Sequence, residues 1–296
     1  MTLQPGTPVL VTGGSGFTGG HVVTALVERG CDVSALCRSD AAVASVEALG
    51  ARPVMGDLDD PGSVDRAFAA SGATHLANIA SLGFGHAPTI ISAARDNGLM
   101  RAVFVSTTAI FTKLNAPSKA VRMAAERDVT DSDLDWTIVR PTMIYGTPGD
   151  RNMWRLVRLV RRSPLVPMPG GGHNLQQPVH VADLAGAIVS ALDRPVAIRR
   201  AYNVAGPDPI SFREVVAATG NAVGRKPRGL SLPARPVIRL LTSVETRTGR
   251  SLPVKAEQIE RLIEDKAFPI DDAVRDLGYS PRPFTVGIRA EAQMTR

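Results

Sequence analysis

Cysteine is scarce. The chain of 296 residues has two, Cys31 and Cys37. They stand at the two ends of one apolar run that reads as a strand. Six strand residues span about 20 Å, so that conformation keeps the two thiols from bridging. Neither has the neighbours of a zinc or iron–sulfur site, and no metal is expected. Reduced thiols, and the lack of a basic and then apolar leader, lead us to expect a cytoplasmic protein. No apolar run reaches the length of a bilayer span, so no integral membrane segment is expected. Aromatics make up 4% of the residues, with three tyrosines among them. No basic patch interleaved with aromatics occurs, so nucleic acid is not an expected partner. Internal repeats and low-complexity tracts are absent as well.

What the chain does have is apolar residues, 44% of it. That suffices for one large α/β core and a smaller unit. Charge is unevenly spread. Residues 1–150 carry 11 basic and 15 acidic side chains, and residues 151–296 carry 23 basic and 13 acidic. The electropositive second half suits a small anionic substrate, and leaves peripheral association with an anionic surface open.

The most informative stretch runs from Val9 to Val23. An apolar β-branched run leads into Gly13-Gly14-Ser15-Gly16-Phe17-Thr18-Gly19, and that into apolar residues at helical spacing. The glycines fit both Gly14-x-Gly16-x-x-Gly19 and Gly13-x-x-Gly16-x-x-Gly19. This reads as strand, tight turn and helix start, where bared amides and the helix dipole face a diphosphate. Strands then alternate with helices: Asp32–Arg38, Arg52–Met55, His75–Ala80, Arg101–Ser106 and Trp136–Arg140 are strands, and the stretches between them are helical. Continuous apolar strands in such alternation predict a doubly wound parallel sheet, the Rossmann arrangement, with the ligand at the carboxyl ends of the strands. Beyond Pro141 the rhythm changes. Residues 1–146 are expected to form the dinucleotide-binding domain, with the chain returning to it at about 176–205. Residues 147–175 and 206–296 are expected to form a smaller substrate-side domain. Asp183 reads as the entry to a helix, and Ser211 with Glu214 as a capping box.

Arg38 closes the second strand, 19 positions after Gly19. A guanidinium there can clamp a 2′-phosphate, where an acidic residue would favour the free ribose hydroxyl. The expected cofactor is therefore NADP, with NAD possible.

Several ordered motifs resemble the extended or atypical short-chain dehydrogenase/reductase superfamily, the NAD-dependent epimerase/dehydratase family. They are Thr12–Gly19, Gly56-Asp57-Leu58, Val103–Thr108, Arg140–Gly146, Pro178–Ala185 and Leu277–Pro281. Asp135–Pro141 is similar to the complex-I-subunit-like members in particular. The resemblance implies that Gly13, Ser15, Gly16, Phe17, Thr18 and Gly19 seat the cofactor. It also implies that Asp57 and Leu58 meet the adenine, that Ala77 and Asn78 line the cofactor ribose, and that Pro141 touches the cofactor. It places Thr107 at the substrate-orienting hydroxyl. The family's Tyr-x-x-x-Lys pair is missing. One register puts Lys119 at the lysine and Asn115 at the tyrosine; another puts Arg122 and Ser118 there. His173, Gln177 and His180 fall in the region that borders the substrate cleft in the family.

Two further basic rows stand out. Arg155, Arg158 and Arg162, with Arg151 before them, could grip a phosphate or form a solvated helix face. The apolar stretch 237–241, flanked by Arg235, Arg239, Arg247 and Arg250, could touch a membrane surface or pack as a lid. The expected function is an NAD(P)-binding epimerase/dehydratase- or reductase-like protein acting on a small molecule, with Thr107, Lys119 and Arg122 as catalytic candidates. The alternative is a non-catalytic NADP-binding redox sensor or assembly protein. A monomer or homodimer fits either.

Overall fold

A computed structural model describes residues 2–114, 117–150, 152–248 and 256–294. Asn115, Arg151 and Arg250, and the side chain of Arg247, lie outside the described residues. In chain order the first half runs β1 (Pro8–Thr12), α1 (Phe17–Glu28), β2 (Asp32–Cys37), α2 (Asp40–Glu47), β3 (Arg52–Met55), α3 (Pro61–Ser71), β4 (His75–Asn78), α4 (Ala87–Asp96), β5 (Arg101–Val105), α5 (Pro117–Asp131) and β6 (Asp135–Pro141). The second half continues β7 (Ile144–Tyr145), α6 (Met153–Arg162), β8 (Leu165–Pro169), β9 (Leu175–Gln176), β10 (Val179–His180), α7 (Val181–Asp193), β11 (Arg200–Val204), β12 (Ile210–Ser211), α8 (Phe212–Ala222), β13 (Arg228–Leu232), α9 (Ala234–Thr248), α10 (Ala256–Leu262), α11 (Asp271–Leu277) and α12 (Phe284–Met294).

Seven strands form one sheet in the order β11-β6-β5-β4-β1-β2-β3, and every pairing in it is parallel. Its residues are apolar on both faces because helices cover both. Val9 and Val11 pack with α1 and α7 through Val22, Leu26, Leu184 and Ile188. Leu10, between them, packs with α3 and α4 through Phe68 and Ile90. Successive residues on a strand face opposite sides, so a run of small apolar residues serves both layers. The strand order reverses between β1 and β4, which opens the crevice where doubly wound folds bind ligands.

Arg101 braces the far end of the sheet. It opens β5 and is 4% exposed. Its guanidinium donates to the carbonyls of Leu192 (3.3 Å) and Ala191, to the Asp135 carbonyl and to Thr137 Oγ1 (2.9 Å). Two of those carbonyls lie in the last turn of α7, which has no basic residue of its own. The cation thus satisfies carbonyls that a helix end leaves open. Burial pushes the Arg101 pKa down to about 10.

Helix starts follow local chemistry. Asp60 caps α3 through the Gly62 and Ser63 amides, with Pro61 in the first turn. Ser211 and Glu214 form the reciprocal capping box of α8. Helix α7 departs from the expectation. His180 is its N-cap, with Nδ1 accepting from the Ala182 amide at 3.2 Å. Asp183 is drawn instead to Arg282, which donates to it from the backbone amide and from Nε at 2.9 Å.

A third apolar cluster joins α6, α8 and α12 through Val157, Val215, Val216, Phe284 and Ile288. Residues 271–279 do not belong to it. Ala273, Leu277 and Tyr279 pack with the sheet-side cluster that holds Tyr202 of β11. No helix among the described residues is long and apolar enough to cross a membrane.

Candidate active site

The turn after β1 works because three positions lack a side chain. Gly13 has φ +71°, and a Cβ there would come within 2.9 Å of the Ala80 amide nitrogen. A Cβ on Gly19 would overlap the Gly13 carbonyl oxygen and lie 2.7 Å from its carbon. Gly16 differs: its Cβ would meet only the Gly13 oxygen, at 3.3 Å, and otherwise project into open space. Gly16 is also the N-cap of α1, which has no side-chain cap and no acidic residue in its first turn. The first amides of α1 are thus left for an anion. Ser15 is exposed, Thr18 is half-buried, and Phe17 stacks edge-on to His21 at 6.0 Å.

Arg38 follows β2 directly and is exposed. Asp57 forms a turn of its own, its Oδ1 accepting from the Asp59 amide at 3.1 Å. Leu58 packs at the edge of the second core cluster. At the end of β4, Ala77 is fully buried. Asn78 is turned inward: its Oδ1 accepts from Thr12 Oγ1 at 2.6 Å and its Nδ2 donates to the Ala80 carbonyl at 3.2 Å. It ties β4 to β1 at the switch point. The residues beyond it, Ile79 and Ser81, face the cleft instead.

That cleft, of about 290 Å³, runs from Thr18 across the ends of β4, β5 and β6. Thr107, Arg122 and Pro141 line it together with Ser106, Thr142 and Arg261. Thr107 Oγ1 accepts from the Ala109 amide at 3.2 Å, which leaves its proton for another acceptor. Ser106 Oγ is buried with no hydrogen-bond partner among the described residues. Thr108, beside them, is buried and donates to the Pro141 carbonyl at 3.2 Å. Arg122 donates to Ser118 Oγ at 2.6 Å. Lys119 does not line the cleft; its Nζ donates to the Thr112 carbonyl at 2.6 Å and steadies the loop after β5.

A family model described as NAD(P)H-binding matches residues 13–195. The chain belongs to this family. Its motifs place it in the extended short-chain dehydrogenase/reductase superfamily. Ceramide reductase of Caulobacter vibrioides is 31% identical over 237 residues, which is 76% of this chain and 73% of that one. NAD(P)H azoreductase of Xenophilus azovorans is 28% identical over 254 residues, 83% of this chain and 82% of its own. The crystal structure of Citrobacter sp. triphenylmethane reductase complexed with NADP(H) superposes with a TM-score of 0.74 at 18% identity, covering 97% of this chain and 99% of that one.

In this NAD(P)H-binding protein the residues present suit a dinucleotide. An uncapped helix start and a glycine whose side chain would fill the approach make a seat for a diphosphate. No tyrosine reaches the cleft. Tyr145 is fully buried, Tyr202 donates to Asp276 at 3.1 Å and Tyr279 donates to the Ala205 carbonyl at 2.7 Å. Burial pushes the Tyr202 phenol up to about 12 and raises the other two further. His173, Gln177 and His180 do not line the cleft either. His173 is exposed. Gln177 bridges the Gly206 carbonyl and the Phe268 amide, both at 2.8 Å. His180 is held down to a pKa of about 4, first by burial and then by Arg282. Arg155, Arg158 and Arg162 lie on the exposed face of α6, where Arg158 stacks on Trp154 at 4.4 Å. Among the described residues no cluster of His, Cys, Asp and Glu could hold a metal.

Sequence reading missed two features of the surroundings. One is Arg261, whose α10 carries no motif. The other is a pair of buried carboxyls, Asp150 and Glu291. Glu291 Oε2 accepts from the Gly146 amide at 3.1 Å. Burial and its hydrogen bond to Asp150 push the Glu291 pKa up to about 9. Asp150 in turn accepts from the Asn152 and Met153 amides at 2.8 and 2.7 Å, which fixes the start of α6. Because the folded pKa of Glu291 lies above its unfolded value, folding takes up a proton between about pH 4.5 and 9. Its contribution to stability is whole below that window and is lost as pH rises through it, by up to about 1.4 kcal/mol per pH unit. Glu291→Gln keeps the hydrogen bonds and cannot ionise. Its Tm should match the parent near pH 5 and exceed it increasingly towards pH 9. A gap independent of pH would refute the assignment.

Proposed function

We propose that this chain is an NADP-dependent reductase of a small anionic substrate that works without the family's tyrosine. The observation that carries the reading is the composition of the cleft. Ser106, Thr107 and Arg122 meet there beside Thr18 of the glycine turn, while all three tyrosines are buried elsewhere. When bound, the cofactor supplies a hydride. The chain's own part is to orient and polarise the acceptor. The Thr107 hydroxyl, with its proton free, donates to the acceptor atom, and the buried Ser106 hydroxyl finds its missing partner there. Arg122 stands where one register of the family motif has lysine, and its guanidinium holds the nicotinamide ribose or the polarised oxygen. Among the described residues no side chain that lines the cleft is suited to deliver a proton near neutral pH, so the product takes its proton from water. Relatives named as ceramide, azo and triphenylmethane reductases agree with reduction as the reaction class.

The reading is tested by titrating NADPH and NADH into the protein and into Arg38→Asp, then following NADPH consumption with a panel of keto acids, phosphorylated ketones and sulfonated azo compounds. NADPH should bind more tightly than NADH. Arg38→Asp should weaken NADPH at least tenfold and NADH little, as expected for loss of a charge-assisted phosphate contact. Equal losses would remove the assignment of Arg38. Binding without turnover across the panel would favour a non-catalytic NADP-binding sensor or assembly protein.

A further inference from the structure

Positive charge gathers on one face of the second half. Residues 151–182 carry five arginines and residues 215–244 four arginines and a lysine, and neither stretch contains an aspartate or a glutamate. The fold brings the two stretches together. Strands β8 and β13 pair in parallel, with Leu165 beside Arg228 and Pro167 beside Leu230. Helix α6 leads into β8 after two residues, and α8 leads into β13 after five. Because the strands run the same way, the C-terminal ends of both helices come to one edge.

The outward side of this edge is basic and apolar at once. On α6, Met153, Leu156, Val157 and Val160 are buried, which turns Arg155, Arg158, Leu159 and Arg162 to solvent. Half-buried Trp154 lies under the Arg158 guanidinium at 4.4 Å. On the strand pair, a Cβ at Gly229 would run into the buried Met168 side chain, so that side of β13 faces inward. Arg228 and Leu230 therefore face outward, beside Leu165 and Pro167. Leu159, Leu165 and Leu230 are 39%, 49% and 48% exposed. Among the described residues Arg155, Arg158, Arg162, Arg225, Lys226 and Arg228 make no ion pair. Helix dipoles account for cations at the ends of α6 and α8, not for Arg155 and Arg158 in the earlier turns of α6.

We propose that this face docks the protein peripherally on an anionic membrane. Lipid phosphates neutralise cations that otherwise repel one another, and the three leucines leave water for the headgroup boundary. A nucleic acid would answer the charge alone. Leucines gain nothing on a phosphate backbone, and the indole of Trp154 is already covered by Arg158. None of these residues lines the cleft, so the docking face stands apart from the reductase reading.

The test floats the full chain with vesicles of phosphatidylcholine alone and of phosphatidylcholine with about 30% phosphatidylglycerol. The mixed vesicles should bind at least tenfold more tightly, and less so as salt rises. Combined Arg158→Gln, Arg162→Gln and Arg228→Gln should cost about fivefold per charge, roughly a hundredfold together. The same loss of charge elsewhere, by Arg66→Gln, Arg95→Gln and Arg127→Gln, should leave vesicle affinity within about twofold. Leu165→Ser with Leu230→Ser should weaken vesicle binding about tenfold. All these side chains are exposed, so each variant should melt with the parent and keep its NADPH affinity. Equal binding to both kinds of vesicle, a first triple variant that binds like the parent, or an equal loss in the second would overturn the proposal. So would tighter binding of polyuridylate or polyglutamate that ignores the leucine pair, which would make a nucleic acid or an acidic protein the partner.

Discussion

Gly19→Ala should cost this protein both its cofactor and a large part of its stability. The added methyl would occupy the place of the Gly13 carbonyl oxygen and come within 2.9 Å of Gly14 Cα. Both neighbours are backbone, so no side chain can swing aside. Either α1 must back away from β1 or the turn must open. Helix α1 is not free to move, because Val22, Val23 and Leu26 are fully buried against the sheet and α7. Overpacking of this kind costs about 1–3 kcal/mol and sometimes more. Gly16→Ala is the informative partner. Its methyl points outward, so the apo protein should melt close to the parent while NADPH affinity falls at least tenfold. Thermal melts with and without NADPH check both. Parent-like binding by Gly19→Ala would mean that the turn is not the cofactor's seat.

Arg101→Leu should have an effect of similar size with no bearing on the cofactor. The substitution leaves the carbonyls of Ala191, Leu192 and Asp135 without their donor in a buried place. It also removes a donor to Thr137, whose own hydroxyl is spent on the Ala197 carbonyl at 2.6 Å. Leaving a buried acceptor without its donor costs about 1–3 kcal/mol, and several are left here. Urea unfolding should show the midpoint falling with the m-value unchanged, and NADPH affinity should be kept under native conditions. A loss below about 1 kcal/mol would show that water reaches those carbonyls when the guanidinium is gone.

The sheet and the cofactor turn were legible because their signals are local. Val9–Val11 are apolar on both faces, and the glycines sit within a few positions of the amides they expose. The positions of Thr107 and Arg38 were legible for the same reason: each falls just past a strand end, and strand ends define the crevice. Asn78 shows the limit. Its place at the end of β4 is plain from the sequence, but its hydrogen bond to Thr12 spans 66 positions and turns the amide away from the cleft. Asp183 has the right type for a cap, yet Arg282, 99 positions on, takes its carboxylate. Gln177 and His180 lie near the cleft in sequence terms and serve as anchors in space. Arg261 had no signal to find. Its position comes from ties made by Thr112, Leu175 and Gln176, none of which lies near it in the chain.

Strand β5 carries its brace and its mouth at opposite ends. Arg101 opens it, Ser106 and Thr107 follow its last residue, and about 17 Å of extended backbone separates the two. Such spacing divides labour within a single element. Substitutions at the rim leave the hydrogen bonds of the keystone below untouched. Chemistry at one end of the strand and anchorage at the other can therefore be altered separately.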